Sequence, residues 1–199
     1  MKQGATLREI SDLVGLRLDQ FPECRLSLSP SARAGTSLRE MVAVLMEPVA
    51  CSLTQELPLA HFSTLSDMRQ HIRVNTDWGE EGYAEVDLPE DFCRLHSLRL
   101  EGWGATLSED YAADPLRVAL GEMAPGWLAS QRLRPWLRIM HRDSGATLRF
   151  GPPTAATPLE ANYVALPRYD ADDEVLLNLD PALILPLSER IAELLKYDF

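Results

Sequence analysis

Apolar residues at helical spacing open the chain, and capping sequences mark where its first two helices begin. The apolar residues recur every three or four positions, which predicts a helix from Leu7 to about Gln20. Thr6 with Glu9, and Ser37 with Glu40, each form a capping box, in which a hydroxyl and a carboxylate satisfy backbone N–H groups that the first turn leaves unpaired. The sequence therefore predicts helices that start at Leu7 and near Ser37.

The second predicted helix is apolar around most of its circumference, and such a helix is expected to be buried on several sides. Pro48 lies inside it and lacks the backbone N–H that a continuing helix needs, so a kink or a split is expected there. Residues 59–70 predict one more short helix, with Ser63 or Thr64 as its cap.

A closing helix is predicted near the C-terminal end. Asp180 is a suitable cap, and Pro181 suits the first helical position, where no backbone N–H is required. Pro186 is expected to interrupt the helix, which leaves residues 187–195 as its stable part.

Between the helical regions the apolar period changes to alternation, which indicates strands with one buried face. Strands are predicted at residues 71–76, 83–88, 92–103, 136–142, 146–150 and 161–167. Residues 77–82 are expected to join the first two in a hairpin, and Pro89 to Asp91 to form a turn. Asp143 to Gly145 predict a short hairpin turn in which glycine takes a positive φ. A short helix is predicted to begin at Asp114-Pro115.

Helices and strands thus fall in separate runs, which favours an α+β fold over a doubly wound parallel sheet. The predicted regions are a helical region at 1–70, an antiparallel β region with a short helix at 71–179, and a C-terminal helix at 180–199 that packs on the helical region. A chain of 199 residues can bury a core without disulfides or a metal. We therefore expect one domain with a β subdomain.

The chain is acidic, with a formal net charge of −11, and this charge repels the phosphate backbone of a duplex. Cys24, Cys51 and Cys93 lack the spacing of a metal or redox site, so reduced, partly buried thiols are expected. The N-terminus lacks the apolar run of a signal peptide, and no stretch has the roughly 18–20 apolar residues of a membrane span. Synthesis in the cytoplasm and no membrane partner are expected.

No sequence motif indicates catalysis or cofactor binding. The nucleophile elbow and the phosphate-binding glycine loops are absent, and no histidine has zinc-site spacing. The histidines are His61, His71, His96 and His141. We therefore expect a protein that is not an enzyme and holds no metal or cofactor. One alternative is a catalytic site assembled from distant residues, such as His96 with Asp87 and Ser97.

Two acidic clusters stand out, one containing Glu80 and Glu81 and the other Asp172 and Asp173. Calcium needs several oxygens close together, so the second cluster is a candidate calcium site, although it lacks the glycine and the distant glutamate of an EF-hand. The alternative is a solvated loop. In a ring-shaped assembly these acids would line a channel, where a negative wall lets a DNA duplex slide without sticking.

Arginine supplies nearly all of the positive charge, and Arg132, Arg134, Arg138 and Arg142 form a local basic run with Trp136 and His141. Its planar guanidinium pairs bidentately with carboxylates, which suits a protein interface, although a GC-rich genome explains the arginine bias equally well. The run is also a candidate nucleic-acid patch. The alternative is a set of strand positions that face solvent or pair with a neighbouring subunit. Trp78 and Trp103 lie at turns and strand ends, where they either anchor an interface or close the core.

The segment from Val86 to Leu95 reads VDLPEDFCRL, and Trp103 follows it. This segment resembles the head–tail connector, or adaptor, proteins of tailed phages and prophages, which often carry a strand, a turn of the LPxDFxRL type and a strand ending in tryptophan. The order of elements is similar over most of the chain. The similar elements are a helical bundle at 6–66, a tyrosine-containing strand at 161–167 and a closing helix at 181–197.

The resemblance implies a structural role in the virion, at the head–tail junction. Identical subunits would form a ring, a dodecamer, that joins portal to tail and extends the DNA channel. The implied partners are copies of itself, the portal protein, tail proteins and passing DNA that is held without sequence-specific contacts. Candidate interface residues are Trp78, Trp103, Arg132, Arg134 and Arg138, and candidate channel-lining acids are Glu80, Glu81, Asp172 and Asp173. The alternative is a soluble bacterial protein-binding module that acts through a sheet edge or groove.

Overall fold

The computed structural model describes residues 4–19, 37–77, 83–112, 135–142, 145–151 and 157–197. The α-helices are α1 (Leu7–Asp19), α2 (Leu38–Glu56), α3 (Arg69–Asn75), α4 (Glu109–Ala112) and α5 (Ile184–Tyr197), with 3-10 turns at Leu59–His61 and Pro181–Leu183. The strands are β1 (Gly4–Thr6), β2 (Ser66–Asp67), β3 (Ala84–Asp87), β4 (Phe92–Leu100), β5 (Trp136–Arg142), β6 (Gly145–Gly151), β7 (Pro158–Ala165), β8 (Arg168–Asp170) and β9 (Val175–Leu177). These strands pair antiparallel, and the fold is α+β as predicted.

The chain divides into two compact units. The first unit contains residues 1–64 and 166–199, and the second contains residues 65–165. The boundaries fall at 64 and 165, where the sequence had placed them at 70 and 179. In the first unit α5 contacts both α1 and α2.

The first unit combines helices α1, α2 and α5 with a small sheet of order β1-β9-β8. Its fully buried apolar side chains include Ile10, Val14, Val42, Met46 and Ile191, which come from all three helices. The three short strands of this sheet were missed in the sequence, because runs of three residues carry too little alternation to be recognised.

Both predicted capping boxes are confirmed. Thr6 Oγ1 accepts from the backbone N–H of Glu9 at 3.2 Å, and the Glu9 carboxylate accepts from the backbone N–H of Thr6 at 2.9 Å. At the start of α2, Ser37 and Glu40 exchange the same two bonds. The hydrogen bonds from Thr6 lower the pKa of Glu9 below its usual value, because they favour the charged carboxylate.

Helix α2 runs unbroken from Leu38 to Glu56, so the expected split at Pro48 is wrong. Pro48 lies on an exposed part of the helix, where water can satisfy the carbonyl that its missing N–H leaves unpaired. The expectation that α2 is buried on several sides is also wrong, because Val44 is 75% exposed. The buried residues of α2, including Val42 and Met46, follow one face instead.

At the C-terminal end Asp180 acts as the predicted cap. Its Oδ1 accepts from the backbone N–H of Ala182 at 2.9 Å, at the start of the 3-10 turn that leads into α5. Pro186 does not interrupt α5, which is continuous from Ile184 to Tyr197. Proline is tolerated there because it lies in the first turn, where backbone N–H groups have no intrahelical partner.

The described strands of the second unit form two sheets, of order β2-β7-β4 and β3-β6-β5. One buried apolar cluster draws on both, with Leu95 and Leu98 from β4 and Leu148 and Phe150 from β6. The predicted strands at β3, β5 and β6 are confirmed. Gly145, where β6 begins, has the predicted positive φ of 134°. Strand β4 ends at Leu100, short of the predicted residue 103, and β7 already begins at Pro158.

Residues 69–75 form helix α3, so the predicted strand at 71–76 and its hairpin with the next strand are wrong. Met68 and Ile72 are buried at helical spacing, whereas Val74 is 66% exposed, so the burial follows one turn of helix and does not alternate. The short helix expected within 59–70 is replaced by a 3-10 turn and strand β2. Neither Ser63 nor Thr64 caps a helix.

Several expectations concern residues outside the described ranges, among them the helix at Asp114-Pro115 and the thiol of Cys24. Cys51 and Cys93 form no disulfide and are partly buried, as predicted. Helix α4 was missed, because four residues carry no recognisable period. Among the described residues, no helix is long and apolar enough to cross a membrane.

Candidate functional site

The segment from Leu88 to Leu95 is the corner by which the chain passes from one sheet of the second unit to the other. It connects β3 of sheet β3-β6-β5 with β4 of sheet β2-β7-β4. The backbone N–H of Phe92 donates to Pro89 O at 2.9 Å, which closes the predicted turn. Leu88 and Leu95, 8% and 0% exposed, anchor the two ends of the corner in the core. The corner is thus fixed by apolar burial at both sides of a hydrogen-bonded turn.

Tyr163 of β7 holds the middle of this corner. Its hydroxyl donates to Asp91 Oδ1 at 2.8 Å, and its ring stacks on Phe92 with centroids 5.8 Å apart. Burial, together with the Asp91 carboxylate, raises the pKa of Tyr163 to about 12, because both disfavour the phenolate. The phenol is therefore a neutral hydrogen-bond donor at neutral pH.

Arg94 and the start of helix α4 hold the far side of the corner. The Glu109 carboxylate accepts from the backbone N–H of Leu95 at 3.1 Å and lies 3.6 Å from Arg94 Nε. Arg94 Nη2 lies 3.7 Å from Asp110, and the Arg94 side chain is 12% exposed. Arg94 is thus well shielded from water, whereas the Asp110 side chain is 71% exposed, so the pair with Asp110 is partly screened by solvent.

The corner therefore presents a rigid acidic tip to solvent. Glu90 and Asp91 are exposed, whereas the residues on either side of them are anchored by core packing, stacking and ion pairing. These are groups for hydrogen bonding and packing.

The structure does not assemble the catalytic site suggested by His96, Asp87 and Ser97. Asp87 Oδ1 accepts from Thr147 of β6 at 3.0 Å, whereas Ser97 Oγ accepts from Asn162 of β7 at 3.1 Å, so the two lie on different sheets. Within the described residues, buried His96 Nδ1 has no hydrogen-bond partner.

The other histidines are not brought together into one site in the part of the chain that the structure describes. His61 is exposed in a 3-10 turn, and His141 is exposed on β5. His71 Nε2 lies 2.6 Å from Asp87 O, and Nδ1 lies 3.2 Å from Asn75 Nδ2. A carbonyl can only accept, so Nε2 carries the proton and donates, while Nδ1 accepts from the amide of Asn75. His71 thus links helix α3 to the end of strand β3.

The acidic cluster at 170–174 is a hydrogen-bonded turn between β8 and β9. Asp170 Oδ1 accepts from the backbone N–H groups of Asp172 at 3.1 Å and Asp173 at 3.4 Å. Glu174 has a φ of 49° and pairs with Arg39 of α2. In the part of the chain that the structure describes, no group of three His, Cys, Asp or Glu side chains is arranged to hold a metal ion.

The structure assigns Trp103 to the core, so the interface alternative for this residue is wrong. Trp103 is 2% exposed and packs edge-on against Phe150, with ring centroids 6.2 Å apart. Trp136, beside the arginine run, is also buried. Of the three candidate interface arginines, Arg138 lies exposed on β5, opposite Arg149 of β6. Other candidates lie outside the described residues, namely Trp78, Glu80, Glu81, Arg132 and Arg134.

The corner and the tyrosine-bearing strand are each visible in the sequence, but their contact is not. Tyr163 is 72 positions from Asp91, and no local pattern links residues so far apart.

No protein-family model matches the chain, and no curated protein matches its sequence.

Proposed function

We propose that this chain is a structural subunit of a tailed-phage or prophage head–tail junction. Copies of it form a ring that joins the portal to the tail and extends the DNA channel. The observation that supports this most is the meeting of two separate features of the resemblance. The turn of the LPxDFxRL type and the tyrosine-bearing strand contact each other through Asp91, Phe92 and Tyr163.

Each motif position of that turn has a physical task, which supports reading it as a motif. Leucines anchor it, proline and phenylalanine close it, aspartate accepts from Tyr163, and arginine pairs with the start of α4. These residues are Leu88, Pro89, Asp91, Phe92, Arg94 and Leu95. A corner built in this way keeps one shape, and a subunit that must fit its neighbours in a ring needs surfaces of fixed shape.

The proposed work is mechanical and involves no catalytic residue. A chain with a net charge of −11 repels DNA phosphates, so a channel built from it lets the duplex pass without adhering. Under this proposal the exposed Asp172 and Asp173 contribute to the channel wall together with Glu80 and Glu81. Arg138, exposed on β5, contributes to contacts between subunits together with Trp78, Arg132 and Arg134.

The proposal is tested by mixing the purified chain with the portal protein encoded beside it and measuring complex masses by native mass spectrometry. A ring of several copies seated on the portal is the expected result. Failure to bind that portal, or a gene neighbourhood without portal, capsid and terminase genes, would contradict the proposal.

A pair of charge reversals sharpens this experiment. Arg138→Glu is expected to weaken ring formation, because a proposed intersubunit cation becomes an anion. Arg73→Glu makes the same charge change at an exposed position of α3 in the same unit and is expected to leave the ring intact. Equal effects of the two variants would show that net charge, and not the proposed interface, controls assembly.

A soluble protein-binding module is the second candidate. The observation that favours it is the exposure of large apolar side chains on the helices of the first unit, where Leu16 is 62% exposed and Val44 is 75% exposed. Such a module would stay monomeric in the portal experiment and would lose partner binding when Val44 is replaced by a charged residue.

A further inference from the structure

Residues 65–165 leave and rejoin the rest of the chain at one place. Strand β2, at the beginning of this stretch, pairs antiparallel with β7 at its end, so that Ser66 lies opposite Tyr163 and Asp67 opposite Asn162. The backbone N–H of Met68 extends the pairing by donating to Ala161 O at 2.9 Å. The two ends of the stretch therefore lie side by side, as in a domain inserted into another domain.

Side chains of the first unit hydrogen-bond to its own backbone on both sides of this joint. On the outgoing side, Asp180 Oδ2 accepts from the backbone N–H groups of Ser63 and Thr64, each at 2.6 Å. On the returning side, Asn178 Nδ2 donates to Leu166 O at 3.2 Å. These bonds lie within the first unit, so they do not depend on the folded state of residues 65–165.

Each unit also has its own core and its own sheets. Ile10 of the first unit and Ile72 and Leu148 of the second are all 0% exposed. Every sheet formed by the described strands lies wholly within one unit. Cooperative unfolding follows shared packing, so separate cores favour separate transitions.

We propose that residues 65–165 are an inserted module that unfolds cooperatively on its own while the first unit stays folded. An unfolded module is then a long loop whose two ends are already held together by the first unit. The entropy cost of closing a loop grows only with the logarithm of its length, so doubling a loop from about 50 to about 100 residues adds little to that cost.

The test is urea unfolding of the full chain with one probe for each unit. All four tryptophans lie within 65–165, so tryptophan fluorescence reports the module. Hydrogen exchange of α1 and α5 amides, followed by mass spectrometry, reports the first unit. Two isoleucine-to-valine variants form a matched pair, Ile72→Val in the module and Ile10→Val in the first unit, because both residues are 0% exposed.

Each variant is expected to lower the midpoint of its own unit by about 0.5 M urea and to leave the other midpoint unmoved. A variant that moves both midpoints equally would overturn the proposal. A stronger change, Leu148→Ala, keeps the test decisive even if the module no longer folds. The α1 and α5 amides are then expected to stay protected, and loss of their protection would also overturn the proposal.

Discussion

Replacing Asp180 with asparagine tests the buried hydrogen-bond network of the first unit. The residue is 2% exposed, and Oδ2 accepts from Ser63 N and Thr64 N at 2.6 Å and from Ser63 Oγ at 3.1 Å. Oδ1 accepts from Ala182 N at 2.9 Å. Asparagine has the same shape but only one acceptor oxygen. Its NH2 group would therefore face either the Ala182 donor or the donors of Ser63 and Thr64.

The size of the expected loss in free energy of unfolding follows from the hydrogen-bonding groups that Asp180→Asn leaves unpaired. A hydrogen bond to a charged group contributes about 1.5–3 kcal/mol, and a buried donor without a partner costs about 1–3 kcal/mol. These contributions are not additive, so we expect the free energy of unfolding to fall by about 3 kcal/mol at neutral pH. Asp172→Asn, which makes the same change in an exposed turn, is expected to stay within about 0.5 kcal/mol of wild type.

The difference in free energy of unfolding between wild type and Asp180→Asn is expected to depend on pH. Burial alone would raise the pKa of the Asp180 carboxyl, but the hydrogen bonds from Thr64, Ala182 and Ser63 outweigh it and lower the pKa below its ordinary value of 3.8. A carboxyl whose pKa is lower in the folded state than in the unfolded state stabilises the fold at pH values above its unfolded-state pKa. This stabilisation is lost as the pH falls through its folded-state pKa. The gap between wild type and Asp180→Asn should be complete at neutral pH and narrow below about pH 3.8.

Urea unfolding followed by far-UV circular dichroism, at neutral and acidic pH, measures this gap, with the first unit's transition identified as the one that tryptophan fluorescence does not report. Asp180→Asn within about 0.5 kcal/mol of wild type at neutral pH would refute the hydrogen-bond argument. A gap of constant size from neutral to acidic pH would mean that the shape of the side chain matters and its charge does not.

Four further substitutions test the corner, the starts of α2 and β1, and the interior of α1. Tyr163→Phe loses the bond to Asp91 but keeps the ring, so unfolding followed by tryptophan fluorescence should show a loss of about 0.5–1.5 kcal/mol. Because its pKa is raised from 10.0 to about 12, wild type alone should lose the Tyr163 contribution as the pH rises through this window. Ser37→Ala removes a capping box and should cost about 1 kcal/mol by circular dichroism. Gly4→Ala would place Cβ against the backbone oxygen of Leu176 in β9 and should expose β1 amides to hydrogen exchange. Gly15→Ala, in helix α1, would place Cβ in ordinary van der Waals contact with Leu38 Cδ2 at 3.8 Å and should stabilise by roughly 0.5–1 kcal/mol.

Each of these substitutions has an outcome that would contradict the reasoning behind it. A Tyr163→Phe protein as stable as wild type would mean that the phenol is satisfied by water. A Ser37→Ala protein with unchanged stability would mean that Glu40 alone holds the start of α2. Unchanged exchange in Gly4→Ala would mean that the β9 backbone moves aside without cost.

The elements that sequence predicted well are those whose decisive contacts are short-range. Each capping box joins residues three positions apart, so it forms wherever the two side chains occur before a helical run. Strand β3 was found because each apolar residue in it faces the core. The prediction failed at α3 because its local pattern is ambiguous: seven residues that contain one Ile and one Val fit a helix or a strand equally well. Packing against β3 and β7, which is not a short-range contact, selects the helix.

The candidate site could be predicted only in part. The turn from Pro89 to Asp91 and the burial of Leu95 follow from local pattern. Whether Trp103 anchors an interface or closes the core depends on where Phe150 lies, and no spacing in the sequence reports that.

The sequence by itself determined the α+β class and the beginnings of the main helices, because these depend on hydrogen bonds and apolar spacing within a few residues. Only the tertiary structure decided that Tyr163 meets Asp91 and that Asp180 holds Ser63, across separations of 72 and 117 residues. Such pairs form when packing of the whole unit brings the two positions together, and the residues around either partner carry no trace of the other.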